Sequence, residues 1–187
     1  EIAKIDGVDA VLGSNEKFKI FDLIKDFTKE DNSCIYTESI ESVNDFNSAH
    51  SNFSDDRTRA YFKIQDGCDY KCTFCTIPLA RGGSRSLNFD GAIDQFQSLI
   101  QNGYKEIILT GVNVGDYKTE SDKDLLSLLE KLVDIEGEFR IRISSIEPNL
   151  LSNDLIDFTA SHSKICNHFH IPLQSGSDKI LKLMQRR

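Results

Sequence analysis

The stretch Ala60-Tyr61-Phe62-Lys63-Ile64-Gln65-Asp66-Gly67-Cys68-Asp69-Tyr70-Lys71-Cys72-Thr73-Phe74-Cys75 runs from a strand-like segment straight into three cysteines within eight residues. Three thiolates at this spacing can hold three corners of an iron-sulfur cube and leave the fourth iron without a protein ligand, so the metal keeps an open position. A structural cluster is normally closed by a fourth cysteine. Zinc is the alternative for a cysteine triple, but a tetrahedral zinc wants a fourth Cys or His. None lies nearby: the histidines are His50, His162, His168 and His170. His168 and His170 flank one apolar residue in a run that reads as a buried strand, so they would reach the loop only through the fold.

Downstream of the loop, strand and helix patterns alternate. A helix is expected over Asn88 to Asn102, with Ile93, Phe96, Leu99 and Ile100 on one face and Gly103 as its stop. Glu106 to Thr110 is an almost wholly apolar strand of the kind buried on both sides. A helix over Asp122 to Ile135 buries Leu125, Leu128, Leu129 and Leu132; a strand over Phe139 to Ile146, a helix over Asn153 to Ala160, a strand over Asn167 to Leu173 and a helix starting at Ser177 follow. Four such alternations specify parallel strands joined by right-handed crossovers, hence an α/β fold: a partial (β/α) barrel. Barrels bind ligands at the carboxyl ends of their strands. Those ends carry Asp66-Gly67-Cys68, Thr110-Gly111-Val112-Asn113, Ser144-Ser145-Ile146-Glu147-Pro148 and Gln174-Ser175-Gly176-Ser177. Singly each reads as turn chemistry; together, beside a cysteine loop, they outline one mouth.

Upstream, residues 1–30 read as helix, strand, helix, with Val8 to Leu12 as the strand and Phe18, Phe21, Leu23, Ile24 and Phe27 at helical spacing. Residues 31–57 are rich in Asp, Asn, Ser and Glu and read as a linker, and 58–187 as the barrel domain. The chain starts without Met and stops in a helical pattern, so it is expected to be a segment of a longer protein.

The 187 residues carry a net charge of -8. That excludes a nucleic-acid grip built on this segment's overall charge, since phosphate binding is driven by counterion release to Lys and Arg. A local basic patch is open to it in Arg57, Arg59, Lys63, Lys71, Arg81 and Arg85, which scattered solubilising charges would explain equally well. Five cysteines, three of them clustered, suit a reducing compartment. No run is apolar enough to span a bilayer, so a cytoplasmic location without membrane contact is expected.

The strings KIQDGCDYKCTFCTIPLARGGSRS, GYKEIILTGVNVGDY, RIRISSIEP and HFHIPLQSGSDKILKLMQRR resemble the radical S-adenosylmethionine (SAM) methylthiotransferases, which convert a C-H bond to C-S-CH3. Within that family QDGC, the PLARG run and LTGVNVGDY are most similar to the MtaB type, the tRNA enzymes acting on N6-threonylcarbamoyladenosine beside the anticodon. The resemblance implies a radical-SAM barrel preceded by the tail of an N-terminal α/β domain. It implies that Cys68, Cys72 and Cys75 ligate a 4Fe-4S cluster and that Phe74 packs beside the nucleoside. By the same resemblance, Gly111 and Asn113 receive the methionine part of SAM, and Glu147, Gln174 and Ser175, which face the same mouth by position, bind its ribose or amino group; a plain surface carboxylate is the alternative for Glu147. Arg81 and Arg85 would neutralise cluster or RNA charge. The cofactors implied are the cluster and SAM, and the partners tRNA and a reductant for the cluster. A second 4Fe-4S cluster, held by three further cysteines, is expected only in a full-length protein. Cys34 matches none of those three. Sibling enzymes that act on isopentenyladenosine or on a ribosomal-protein aspartate remain alternatives, as does a non-catalytic iron-sulfur or zinc module.

Overall fold

The computed structural model describes residues 1–24, 33–50 and 58–186. In chain order its elements are β1 (Ala10–Leu12), α1 (Ile20–Leu23), β2 (Cys34–Tyr36), β3 (Ala49–His50), β4 (Arg59–Lys63), β5 (Gln65–Asp66), α2 (Ile77–Arg81), β6 (Arg85–Ser86), α3 (Phe89–Gln101), β7 (Glu106–Thr110), α4 (Leu125–Val133), β8 (Arg140–Ile143), α5 (Asn153–Ser161) and α6 (Asp178–Leu183).

The apolar run expected to be buried on both sides is β7, and it sits inside a four-stranded sheet of order β3-β4-β7-β8. β4, β7 and β8 are parallel, in register Ala60 to Ile107 to Ile141 and Phe62 to Leu109 to Ile143. These six side chains form one face of the sheet and are wholly buried with Phe96 and Leu99 of α3 and Leu128, Leu129 and Leu132 of α4. Phe96 meets Phe139 edge to face at 5.3 Å between ring centroids. Local sequence fixes where α3, α4 and α5 start. Asn88 Oδ1 accepts the Gly91 N–H at 2.7 Å, Asp124 Oδ1 the Ser127 N–H at 2.9 Å and Ser152 Oγ the Leu155 N–H at 3.2 Å. Such caps contribute about 1 kcal/mol each.

Three expectations are corrected. Asn167 to Leu173 is not a regular strand: it touches the sheet through isolated parallel bridges, Ile141 with Ile165 and Ser145 with His170. The ladder fails because the His168 N–H turns back onto the Cys166 carbonyl at 2.7 Å and Pro172 has no N–H to give. His168 and His170 are consequently exposed rather than in a buried strand. The linker is not featureless either. Within 33–50, β2 pairs in parallel with β1, and β3 adds antiparallel to β4; residues 31–32 and 51–57 lie outside the described residues. Finally, the helix expected around Phe18 and Phe21 is short and leaves Phe21 exposed, because the chain there is a 3-10 turn, Glu16–Lys19, running into the single turn of α1; Phe27 lies outside the described residues.

Candidate functional site

The expected first strand is split after Lys63, and the split builds the site. Gln65 and Asp66 form β5 against β6, and both side chains are buried. Gln65 Nε2 donates to the Gly67 carbonyl at 2.8 Å and to Ser84 Oγ at 3.0 Å, while its Oε1 accepts the Asn113 N–H at 2.9 Å. One amide thus joins the start of the cysteine loop to the carboxyl end of β7. Asp66 gathers three cations: Lys63 Nζ at 3.1 Å, Arg81 Nη1 at 3.2 Å and Arg85 Nη2 at 3.3 Å. Burial by itself would raise the Asp66 pKa, but the Lys63 charge and hydrogen bond, the Gly67 N–H and Arg85 outweigh it and hold the carboxyl below its ordinary value. Arg81 and Arg85 are therefore engaged in internal ion pairs with Asp66. The sequence points to Asp66 only as part of a strand end and to Gln65 only within the QDGC string, and assigns neither a role in the site.

Gly67 permits the turn into the cysteines. Its φ is +71°, and a Cβ there would lie 1.9 Å from the Gly83 carbonyl oxygen. The loop is then held at several points. Cys68 N–H donates to the Gly82 carbonyl at 3.1 Å, Asp69 Oδ1 accepts the Ser84 N–H at 3.0 Å, and buried Tyr70 accepts at its hydroxyl from Asn149 Nδ2 at 2.9 Å. The Cys75 N–H closes a turn onto the Cys72 carbonyl at 3.0 Å, and the Thr73 N–H reaches the Met184 carbonyl at the end of α6 at 3.1 Å. All three thiols are free. Burial pushes the Cys68 thiol up, and charge on Asp116, Cys72 and Cys75 pushes it further, against the Tyr70 N–H. Among the described residues no group of three or more His, Cys, Asp or Glu is drawn together closely enough to hold a metal ion. The donor set nevertheless suits a thiophilic cluster: three soft sulfur ligands on one loop, within electrostatic reach of one another.

The remaining expected residues separate into two groups. Asn113 is buried at the end of β7; its Oδ1 accepts the Glu147 N–H at 3.3 Å, and its Nδ2 is buried with no hydrogen-bond partner. A donor so placed is what an incoming carboxylate or hydroxyl would satisfy. Gly111 is needed for a close approach, since a Cβ would meet Gln65 Oε1 at 2.8 Å. Glu147 is ion-paired to Arg186 at 2.5 Å, and the same guanidinium lies 3.8 Å from Cys72 Sγ and donates to the Pro172 carbonyl at 2.6 Å. Arg186 was missed by sequence reasoning: within MQRR nothing marks it. Phe74, by contrast, is 52% exposed. Gln174 is exposed at a φ of +66°, and the Ser175 contacts are local, to Leu173 and Ser177.

The inner face of the sheet opens at its carboxyl end into a cavity of about 640 Å³ lined by Ala49, Tyr61, Lys63, Gln65, Asp66, Ile77, Arg81, Thr110, Gly111 and Val112. Lys63 lies over the Phe46 ring at 4.9 Å and the Phe18 ring at 5.2 Å. Desolvation lowers its pKa, Asp66 only partly restoring it. At the amino end of the same face, buried Glu106 pairs with Arg142 Nε at 2.8 Å, Arg59 Nε at 3.4 Å and Arg140 Nη2 at 3.5 Å. The hydrogen bond from Arg142 holds that carboxyl below its ordinary range, against burial.

A family model described as "Radical SAM superfamily" matches residues 62–187. Threonylcarbamoyladenosine tRNA methylthiotransferase MtaB of Bacillus subtilis is 41% identical over 189 residues, which takes in 100% of this chain and 42% of that protein. The enzyme of the same name from Aquifex aeolicus is 34% identical, covering 100% of this chain and 45% of its own length. A tRNA-2-methylthio-N(6)-dimethylallyladenosine synthase of Endomicrobium trichonymphae is 44% identical over 127 residues, 68% of this chain and 30% of that one. The chain thus spans less than half the length of the curated relatives it matches. Among solved structures, the radical S-adenosylmethionine methyltransferase TsrM of Kitasatospora setae, solved with cobalamin and a [4Fe-4S] cluster, superposes with a TM-score of 0.53 at 18% identity, over 65% of this chain and 23% of that one. That likeness speaks to the fold.

Proposed function

Because this chain belongs to the radical SAM superfamily, we propose that it is the cofactor-binding part of a tRNA methylthiotransferase acting on N6-threonylcarbamoyladenosine. The carrying observation is 41% identity along the whole chain to an enzyme named for that reaction, against 34% over the same span for a dimethylallyladenosine synthase. The dimethylallyladenosine synthases are the second reading, favoured by 44% identity over 68–71% of the chain in two of them and by 34% over the whole chain in a third. In this proposal residues 58–187 are the radical-SAM domain and 1–30 the end of a preceding one, with 31–57 as the connection. A reducing cytoplasm suits a chain with five cysteines, three of them clustered in one loop. Among the described residues no helix is long and apolar enough to cross a membrane.

Cys68, Cys72 and Cys75 would hold a 4Fe-4S cluster, and Gly111 and Asn113 would receive the methionine part of SAM beside it. When bound, such a cluster supplies an electron to the sulfonium of SAM and so the means to break a C–H bond that no side chain could break. The residues supply position. Gln65 fixes the Asn113 backbone so that the orphaned Asn113 amide is presented to the mouth, and Gly111 keeps that wall close. Arg186 lies against the Cys72 sulfur and carries Glu147 with it, so Glu147 would serve the site through Arg186 as well as directly. Phe74, Gln174 and Ser175 would reach substrate or cofactor from the exposed rim.

The test is mass spectrometry of tRNA nucleosides from a host lacking its own methylthiotransferases, with and without the whole protein that carries this chain. The expected product is the 2-methylthio derivative of N6-threonylcarbamoyladenosine. Appearance of the dimethylallyl counterpart instead would install the second reading, and neither product would refute both.

A further inference from the structure

The cavity at the carboxyl end of β4 and β7 carries more positive charge than the fold needs. Lys63 and Arg81 line it, Arg85 stands behind them, and Asp66 is the carboxylate they share. One anion among three cations leaves two positive charges uncompensated within the cluster. Lys63 is moreover held in place in a half-buried setting, clamped between Asp66 and the rings of Phe18 and Phe46. A cation kept partly desolvated beside two others is costly unless an anion completes the set. The cavity, at about 640 Å³, admits a nucleoside-sized ligand, and Tyr61 on its wall offers an aromatic ring to a base.

Accordingly, we propose that Lys63 and Arg81 form a subsite for the carboxylate of the substrate's N6 substituent, and that this charge selects threonylcarbamoyladenosine over neutral N6-alkyl adenosines. The inference rests on the reading under Proposed function. A threonylcarbamoyl group ends in a carboxylate and a hydroxyl, whereas a dimethylallyl group is a hydrocarbon. The acid completes the ion cluster with charge-assisted hydrogen bonds, and a hydrocarbon would strip water from Lys63 and Arg81 and return nothing. Thr110, which also lines the cavity, would supply a hydroxyl to the substituent's polar edge.

The experiment uses the whole protein, loaded with its cofactors. Equilibrium binding and turnover are measured on anticodon stem-loop RNAs carrying N6-threonylcarbamoyladenosine, its carboxamide analogue or N6-dimethylallyladenosine. Wild type is expected to bind the acid at least about tenfold more tightly than the amide. Lys63→Met should erase that ratio by weakening the acid alone, leaving the iron content and the affinity for the amide as in wild type. Equal binding of acid and amide by wild type, or no binding of either, overturns the subsite without recourse to any variant. So does a Lys63→Met protein that keeps the ratio. The two readings part cleanly. Methylthio-threonylcarbamoyladenosine formed by an enzyme blind to the carboxylate sinks the subsite and leaves the function standing. A Lys63-dependent preference for the acid in a protein that forms no such product sinks the function and leaves the subsite.

Discussion

Two ion clusters occupy opposite ends of the inner sheet face, and each is built on one buried carboxylate and three cations. Asp66, at the carboxyl end, is met by Lys63, Arg81 and Arg85, whose side chains are 16%, 38% and 10% exposed. Glu106, at the amino end, is met by Arg59, Arg140 and Arg142, at 61%, 65% and 28%. The carboxylates are equally buried, so the difference lies in the cations. Two of the cations around Glu106, Arg59 and Arg140, keep most of their water and can relax into it, whereas two around Asp66, Lys63 and Arg85, have surrendered it; Arg142 and Arg81 lie between. The same stoichiometry therefore closes one end of the barrel cheaply and loads the other with field where the cysteines and the cavity lie.

Removing the two carboxylates one at a time measures that difference. Asp66→Asn leaves three cations facing one another in partial burial and should cost about 3 kcal/mol in urea unfolding, whereas Glu106→Gln should cost about 1 kcal/mol because its partners are solvated. Equal losses would erase the distinction drawn here. Between these lies Gly111→Ala. Its Cβ would press on both Gln65 Oε1 and the Gln65 backbone oxygen, at 2.8 and 3.0 Å, and disturb the hub that seats Asp66's neighbour; a loss of about 2 kcal/mol is expected, with weakened SAM binding by isothermal calorimetry.

Acid sharpens the comparison further. Both carboxyls titrate below their ordinary values when folded, so each contributes stability that is present above the unfolded pKa, about 4, and lost as pH falls through the folded one. Thermal unfolding followed from pH 5 downward should show a steep loss in wild type that flattens more in Asp66→Asn than in Glu106→Gln; the reverse order would place the stronger field at the wrong end. The smallest effect is that of salt. Raising sodium chloride to 1 M should shave a few tenths of a kcal/mol from the Glu106 cluster and less from that of Asp66, which a double-mutant cycle at Arg59 and at Arg81 would resolve.

Periodicity alone carried the barrel units. Leu128, Leu129 and Leu132 share a face because 3.6 residues make a turn, and Ile107 to Leu109 are buried because both sides of a parallel sheet are covered. The cysteine spacing was equally plain. What local pattern does not encode is partnership over distance. β2 is a strand because β1 lies beside it, and its polar surroundings masked it. Asn167 to Leu173 has the composition of a strand and fails as one over a proline and a turned-back N–H. Gln65, Asp66 and Arg186 have ordinary neighbours in sequence; their importance comes from contacts 48 residues away in the case of Gln65 and Asn113 and 114 away in that of Arg186 and Cys72.

That last separation bears on the order in which the molecule is assembled. The cysteine loop is clasped at its far side by Met184 and Arg186, so its final shape waits on three strand-helix units laid down after it in the chain. Contacts of such span are paid for late in folding, after the local helices and the β4-β7 pairing have formed. Iron offered to the nascent chain would meet three loosely tethered thiols, and iron offered to the finished barrel would meet a seated loop. We expect cluster insertion to be a post-folding event, with a rate that tracks the docking of α6 rather than the synthesis of the cysteines.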